Sequence, residues 1–169
     1  DLEQFNSYFK YSKFLRTIDS SAPSIENSSL SIKLATKITI TPNKSKSISA
    51  SFSNAIFYPH VGHFGSIKTS GFTYFGEPNC YLSDDGAGTI NIYRDIIGER
   101  RLVDTNKGLV NYDTGVFSAT LTPESETDEE LEVVIEPRNQ DIFSVRNQIL
   151  EILEGDILVT AVDAQTRYV

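Results

Sequence analysis

Over residues 30–56 the chain alternates apolar and polar side chains almost without a break. Leu30, Ile32, Leu34, Ile38 and Ile40 alternate with Ser31, Lys33, Lys37, Thr39 and Thr41. After Pro42-Asn43-Lys44 the alternation resumes with Ile48, Ala50, Phe52 and Ile56 against Ser47, Ser49, Ser51 and Ser53. Successive side chains of a strand point to opposite faces, so one apolar row at period two predicts half-buried antiparallel strands. The spacing predicts a long two-stranded ribbon over 29–57, with its Ser- and Lys-rich face wet. Such a ribbon is not stable alone in water, so its apolar row must lie on something. Two surfaces satisfy that need: the chain's own domain, or a neighbouring subunit. Leu30, Ile32, Leu34, Ile38, Ile40, Ile48, Phe52 and Ile56 are therefore candidate contact residues.

On either side of the ribbon the pattern changes. Over residues 1–18, Phe5, Phe9 and Phe14, with Leu2, Leu15 and Ile18, recur every three to five positions, which predicts a helical stripe. That stripe either packs on a domain or presents an aromatic face to a partner. Residues 19–29 are Ser-rich around Pro23 and read as a linker. Beyond the ribbon, short strands are expected over 71–75, 81–83, 89–94, 102–103, 109–112, 116–121 and 131–136. Asp84-Asp85-Gly86-Ala87-Gly88 has the side-chain acceptors and glycines of a turn, and Asp113-Thr114-Gly115 suits a three-residue hairpin loop. Asn106-Lys107-Gly108 reads as a further turn. Residues 141–153 fit a short helix or an extended piece, and 157–162 read as a last strand. The expected class is mainly β, a β-rich α+β chain. It is an antiparallel meander of hairpins with a long ribbon and one or two short helices. Three segments follow: 1–28 helix and linker, 29–57 ribbon, 58–169 β-rich domain.

At 169 residues the chain is long enough to bury a core. A net charge of -8 argues against nucleic acid, whose phosphates need clustered Lys and Arg; Arg100-Arg101 is the only adjacent basic pair. No apolar run approaches the roughly 18 residues of a membrane span, and the first residues lack the layout of a signal peptide. One cysteine, Cys80, leaves no partner for an intramolecular disulfide. The absence of methionine and the ending AQTRYV are what a piece of a longer polypeptide is expected to show.

Searches for reactive chemistry end early. His60-Val61-Gly62-His63 places two imidazoles three apart, but no acid or thiol lies nearby in sequence to complete a metal site. The Asp84–Gly88 loop lacks the alternating oxygens and the twelfth-position Glu of a calcium loop. Its Gly-x-Gly is followed by no helical pattern, so it is no phosphate cradle. No Gly-x-Ser-x-Gly elbow occurs, and nothing in sequence activates Cys80. Residues 123–130, PESETDEE, read as a solvated acidic loop. No catalysis, cofactor, metal or small-molecule substrate is expected. Tyr74, Tyr81 and Tyr93 beside Asp84 and Asp85 are the one aromatic–acid grouping that a carbohydrate-binding domain would use; cross-strand packing is their plainer role.

Three segments together resemble a known family. The first is Ala22-Pro23-Ser24-Ile25-Glu26-Asn27-Ser28-Ser29, opening the ribbon, with Phe52-Ser53-Asn54-Ala55-Ile56 closing it. The second is Tyr81-Leu82-Ser83-Asp84-Asp85-Gly86-Ala87-Gly88-Thr89-Ile90. The third is Gly108-Leu109-Val110-Asn111-Tyr112-Asp113-Thr114-Gly115, followed by Glu136-Pro137, Asp141-Ile142 and Arg146-Asn147-Gln148-Ile149-Leu150. Their order and spacing over 22–164 resemble the C-terminal half of the ring-forming baseplate wedge protein of T4-like contractile-tailed phages. The resemblance implies a structural subunit of the virion's tail baseplate, made in the bacterial cytoplasm. It also implies pairing with another copy as a homodimer within a ring, and contacts with other wedge proteins. A carbohydrate- or receptor-binding β-domain of a tail fibre or adhesin is the alternative.

Overall fold

The computed structural model describes residues 8–59, 65–124, 129–144, 152, 155 and 157–160. Ten of its elements are named here in chain order after a first short strand, β1 (Tyr8–Phe9), and a helix, α1 (Tyr11–Asp19). They are β2 (Leu34–Ile40), β3 (Lys46–Ser51), β4 (Ile67–Thr69), β5 (Phe72–Tyr74), β6 (Glu77–Asp84), β7 (Thr89–Ile96), β8 (Glu99–Asn111), β9 (Val116–Leu121), β10 (Glu129–Ile135) and β11 (Ile142–Phe143). The mainly-β expectation holds, with a single helix among the described residues.

One sheet of nine strands runs β2-β10-β4-β6-β7-β8-β9-β3, with β5 added beside β6. Every pairing is antiparallel. The two ends of this order, β2 and β3, are neighbours in sequence, joined by residues 41–45. That connection joins the two ends of a sheet that curls into a nearly closed barrel. The Lys46 ammonium donates to the Thr39 carbonyl across the seam at 2.6 Å.

The ribbon expectation is corrected here. The strands β2 and β3 alternate as predicted, but they do not pair with each other: β2 takes β10 (Ile38 opposite Leu131) and β3 takes β9 (Ile48 opposite Ala119). Alternation specifies a face, not a neighbour, and partners far along the chain offer a matching apolar face. Ile40, Ile48, Phe52 and Ile56 are buried in the same core as Phe117, Leu131 and Val133, with Leu34 and Ile38 packed against it. Each such side chain, fully buried, contributes about 1.5–3 kcal/mol. The ribbon segment thus shares one interior with residues from 65–124 and 129–137, and the polar row Ser47, Ser49 and Ser51 is exposed as expected.

Other differences have local causes. The helix begins only at Tyr11; Phe9 lies in β1, paired through Ile142, and Leu2 and Phe5 fall outside the described residues. Strand β8 runs straight through Asn106-Lys107-Gly108, where a turn was expected. The register with β7 shifts there, and Asn106 takes φ 57°, so the segment is a bulge. The Asn91 amide oxygen accepts the Asn106 N–H at 2.9 Å, satisfying the group that the bulge takes off the ladder. Gly108 is required by proximity: a Cβ there would lie 1.9 Å from the Ser118 carbonyl oxygen. Residues 142–143 are a strand, most of 145–153 lie outside the described residues, and 157–160 are exposed and not strand.

Candidate functional site

The N-terminal segment is held by a polar clip. Strand β1 pairs with β11, Tyr8 opposite Phe143, and the two rings stack at 4.3 Å. The Asp141 carboxylate accepts the Tyr8 hydroxyl and the Tyr11 backbone N–H, each at 2.8 Å. These bonds hold its carboxyl below the usual range, the Tyr8 hydrogen bond first. On the far side of β11, the Asn54 side chain imitates a strand: its amide donates to the Phe143 carbonyl at 2.9 Å and accepts the Phe143 N–H at 3.1 Å. The helix that this clip positions has no buried residue. Phe14 is exposed and meets the Phe9 ring at a tilt of 48°, 5.5 Å between centroids, while Leu15 and Ile18 are half-buried. Leu30 and Ile32, before β2, are half-buried; the Leu30 carbonyl accepts the Tyr11 hydroxyl and the Ile32 N–H reaches the Gln140 side chain.

A fully buried carboxylate organises the barrel end beside the clip. Asp84 accepts the N–H groups of Gly65 at 3.2 Å and Ile67 at 3.0 Å, and the Tyr112 hydroxyl at 2.9 Å. Burial, then that carboxylate, push the Tyr112 hydroxyl pKa up. Next to it Asp85 forms the expected turn, accepting from the N–H groups of Ala87 at 2.8 Å and Thr89 at 3.0 Å. Burial alone would raise the Asp85 pKa, but those hydrogen bonds outweigh it and lower it. Both carboxylates of the Asp-Asp-Gly loop are therefore occupied by the chain's own donors. Among the described residues, no three His, Cys, Asp or Glu side chains cluster to hold a metal. His60 and His63 lie outside the described residues. Asp113-Thr114-Gly115 turns as expected, with Gly115 at φ 69°, but the side chain that stabilises it is Asn111, which accepts two N–H groups of the loop.

The three tyrosines of the aromatic–acid grouping are buried, which corrects any exposed role for them. Tyr81 and Tyr93 are directly cross-strand and stack at 6.3 Å, capped by Lys68 over one ring and Arg100 over the other. Such a cation–aromatic contact is worth about 0.5–1 kcal/mol at an exposed site. Burial and the Asp95 carboxylate push the Tyr81 hydroxyl up to about 12. Tyr74 donates to Asp104 at 2.6 Å. Cys80 is buried and its thiol pKa is raised by that burial, so it is poorly ionised. An open groove of about 500 Å³ runs over the outer face of β8 and β9, lined by Tyr58, Thr89, Leu109, Asn111, Asp113 and Val116.

Of the candidate contact residues, then, Ile40, Ile48, Phe52 and Ile56 are interior, Leu30, Ile32, Leu34 and Ile38 half-buried, and Phe9 and Phe14 sit together at the clip and helix. Sequence reasoning missed Asn54 and Asp141, whose roles depend on segments 89 and 133 positions away. It also missed Phe75-Gly76 and Ile97-Gly98, where an X-Gly pair between alternating runs was the available turn signal. No known family model matches this chain, and no curated protein matches it as a relative.

Proposed function

We propose that this chain is a structural subunit of a phage tail baseplate wedge. It works through contacts with another copy of itself and with other wedge proteins around the tail hub, and not through catalysis. The baseplate assignment rests on the ordered motifs over 22–164. The contact role is carried by one observation: an amphipathic helix, α1, clipped to the barrel with no residue buried and with Phe14 exposed. An apolar stripe left half-covered on an ordered helix is suited to a groove on a partner. The ribbon residues support the reading less than α1 does, since their apolar row already fills the barrel. Size-exclusion chromatography with light scattering is the test, on this chain and on its parent polypeptide at high concentration. Self-association of either, weakened by Phe14→Asp, is expected; a monomer in both cases sinks the self-association.

A second reading, a carbohydrate- or receptor-binding domain, is favoured by Tyr58, 58% exposed beside Asn111 and Asp113 in the open groove. Reproducible glycan-array binding lost on Tyr58→Ala supports it; silence on the array removes it.

A further inference from the structure

The barrel is left open along a seam between β2 and β3, and the chain carries an apolar, strand-forming segment that pairs with none of its described strands. Among the described residues, β2 has β10 as its one neighbour in the sheet and β3 has β9, and no ladder joins β2 to β3. In an antiparallel pair every second N–H and C=O points away from the partner. So β2 and residues 46–50 of β3 present two lips of backbone groups along the seam. At the loop end the seam is shut: Lys46 bridges to the Thr39 carbonyl, and Ile40 and Ile48 are 1% and 2% exposed. Further along it is uncovered. Leu34, Ile38 and Ala50 pack on the core yet stay only partly buried, and all three stand on these two strands. Inward-facing residues of other strands, such as Leu82, Ile92, Phe117 and Val133, are fully buried. The gap in the core therefore lies at the seam.

The complement is Ile157-Leu158-Val159-Thr160. Three of its four residues are β-branched, which suits a strand. Yet it joins none of the described strands, with Ile157 58%, Leu158 91% and Val159 82% exposed. We infer that this segment of one copy adds as a strand between β2 and β3 of a second copy, which returns its own segment to the first. An apolar run left in water and a core left uncovered are both unfavourable, and strand addition removes both. Its own barrel leaves the segment exposed; a second copy supplies the same seam. Charge favours the match. Residues 30–56 hold Lys33, Lys37, Lys44 and Lys46 and no acid, in a chain of net charge -8. Behind the lips, β9 brings no charge, while β10 brings Glu129, Glu130 and Glu132, of which Glu130 pairs with Lys37. These strands therefore give the seam no net negative charge. The donor segment is preceded by Glu151, Glu154 and Asp156, with no Lys or Arg over 151–160. Opposite charge steers it to the lips. The inference rests on the self-association proposed above and names a surface for it.

The test compares the wild-type chain with Leu158→Pro by sedimentation velocity and amide exchange over a range of concentrations. The wild type should associate. With rising concentration, amides of β2 and of residues 46–50 that point away from β10 and β9 should gain about tenfold protection. Proline has no N–H for a ladder, so the variant should associate about tenfold more weakly and lose that protection. Because the segment is exposed in its own chain, the variant should keep the wild-type Tm. A wild type that stays monomeric at high concentration overturns the inference together with the self-association. Equal association of wild type and variant overturns the inference alone, and leaves self-association to another face such as α1. Association without protection of the seam amides does the same. Seam protection that is independent of concentration and lost in the variant assigns the seam to the chain's own segment. A lower Tm in the variant makes 157–160 packing residues of their own chain. Either result overturns the exchange with a second copy.

Discussion

Single residues set the barrel's local geometry through two kinds of constraint. The first is space. Gly115 has φ 69°, and a Cβ there would stand 2.2 Å from the Asn54 carbonyl oxygen. Gly115→Ala should therefore destabilise the fold by about 2–3 kcal/mol, adding a close contact to an unfavourable φ, read as a lower urea midpoint at constant m. The second is polar satisfaction. Asp84 is wholly buried and takes three donors, so Tyr112→Phe removes one hydrogen bond to a group with no access to water. A loss of about 1.5–3 kcal/mol is expected, against near-neutrality for Tyr58→Phe at the exposed ring. The Asp-Asp-Gly loop was legible as a turn because Asp and Gly carry turn chemistry locally. That Asp85 makes the turn while Asp84 anchors Gly65 and Ile67 was not legible, because its partners come from another strand.

At the scale of elements, the clip between β1 and β11 decides whether α1 is presented. Asp141 is its pivot, and its carboxyl lies below the ordinary range because the ionised form is hydrogen-bonded. A depressed carboxyl stabilises the clipped state fully above its ordinary pKa, about pH 4, and loses that contribution as pH falls through the lowered value. Amide exchange at Tyr11 should accordingly stay protected at pH 5 and accelerate selectively in strong acid. Asp141→Asn should speed tryptic cleavage at Lys10, Lys13 and Arg16 while leaving barrel amides protected; unchanged cleavage would remove Asp141 from the pivot role. The helix itself was partly legible: its period marked the stripe, but the stripe's first half, at Phe9, became a strand because β11 offers a backbone partner.

For the whole molecule, closure follows from pairing strands distant in sequence. Residues 41–45 only join the two ends of the sheet, so lengthening that loop should be cheap. Doubling it by a Gly/Ser insertion after Lys44 should cost only about 0.6 kcal/mol, visible as a nearly unchanged urea midpoint. Truncating the interior is different: Phe117→Ala, at a fully buried site, should cost about 3–5 kcal/mol. An insertion that unfolds the chain would mean that β2 and β3 depend on each other after all.

The sequence alone determined the faces: which residues of 34–40 and 46–51 turn inward, and where the Asp-Gly turns fall. Those features are local, because side-chain period and turn chemistry are properties of a few consecutive residues. Only the tertiary structure decided the partners. It sent the two alternating strands to opposite ends of one sheet, converted Asn106-Lys107-Gly108 from a turn into a bulge, and buried the apolar row that had looked free to meet a neighbour. The reason is physical: an apolar face is non-directional and accepts any matching face, so the choice among them belongs to the packing of the whole chain.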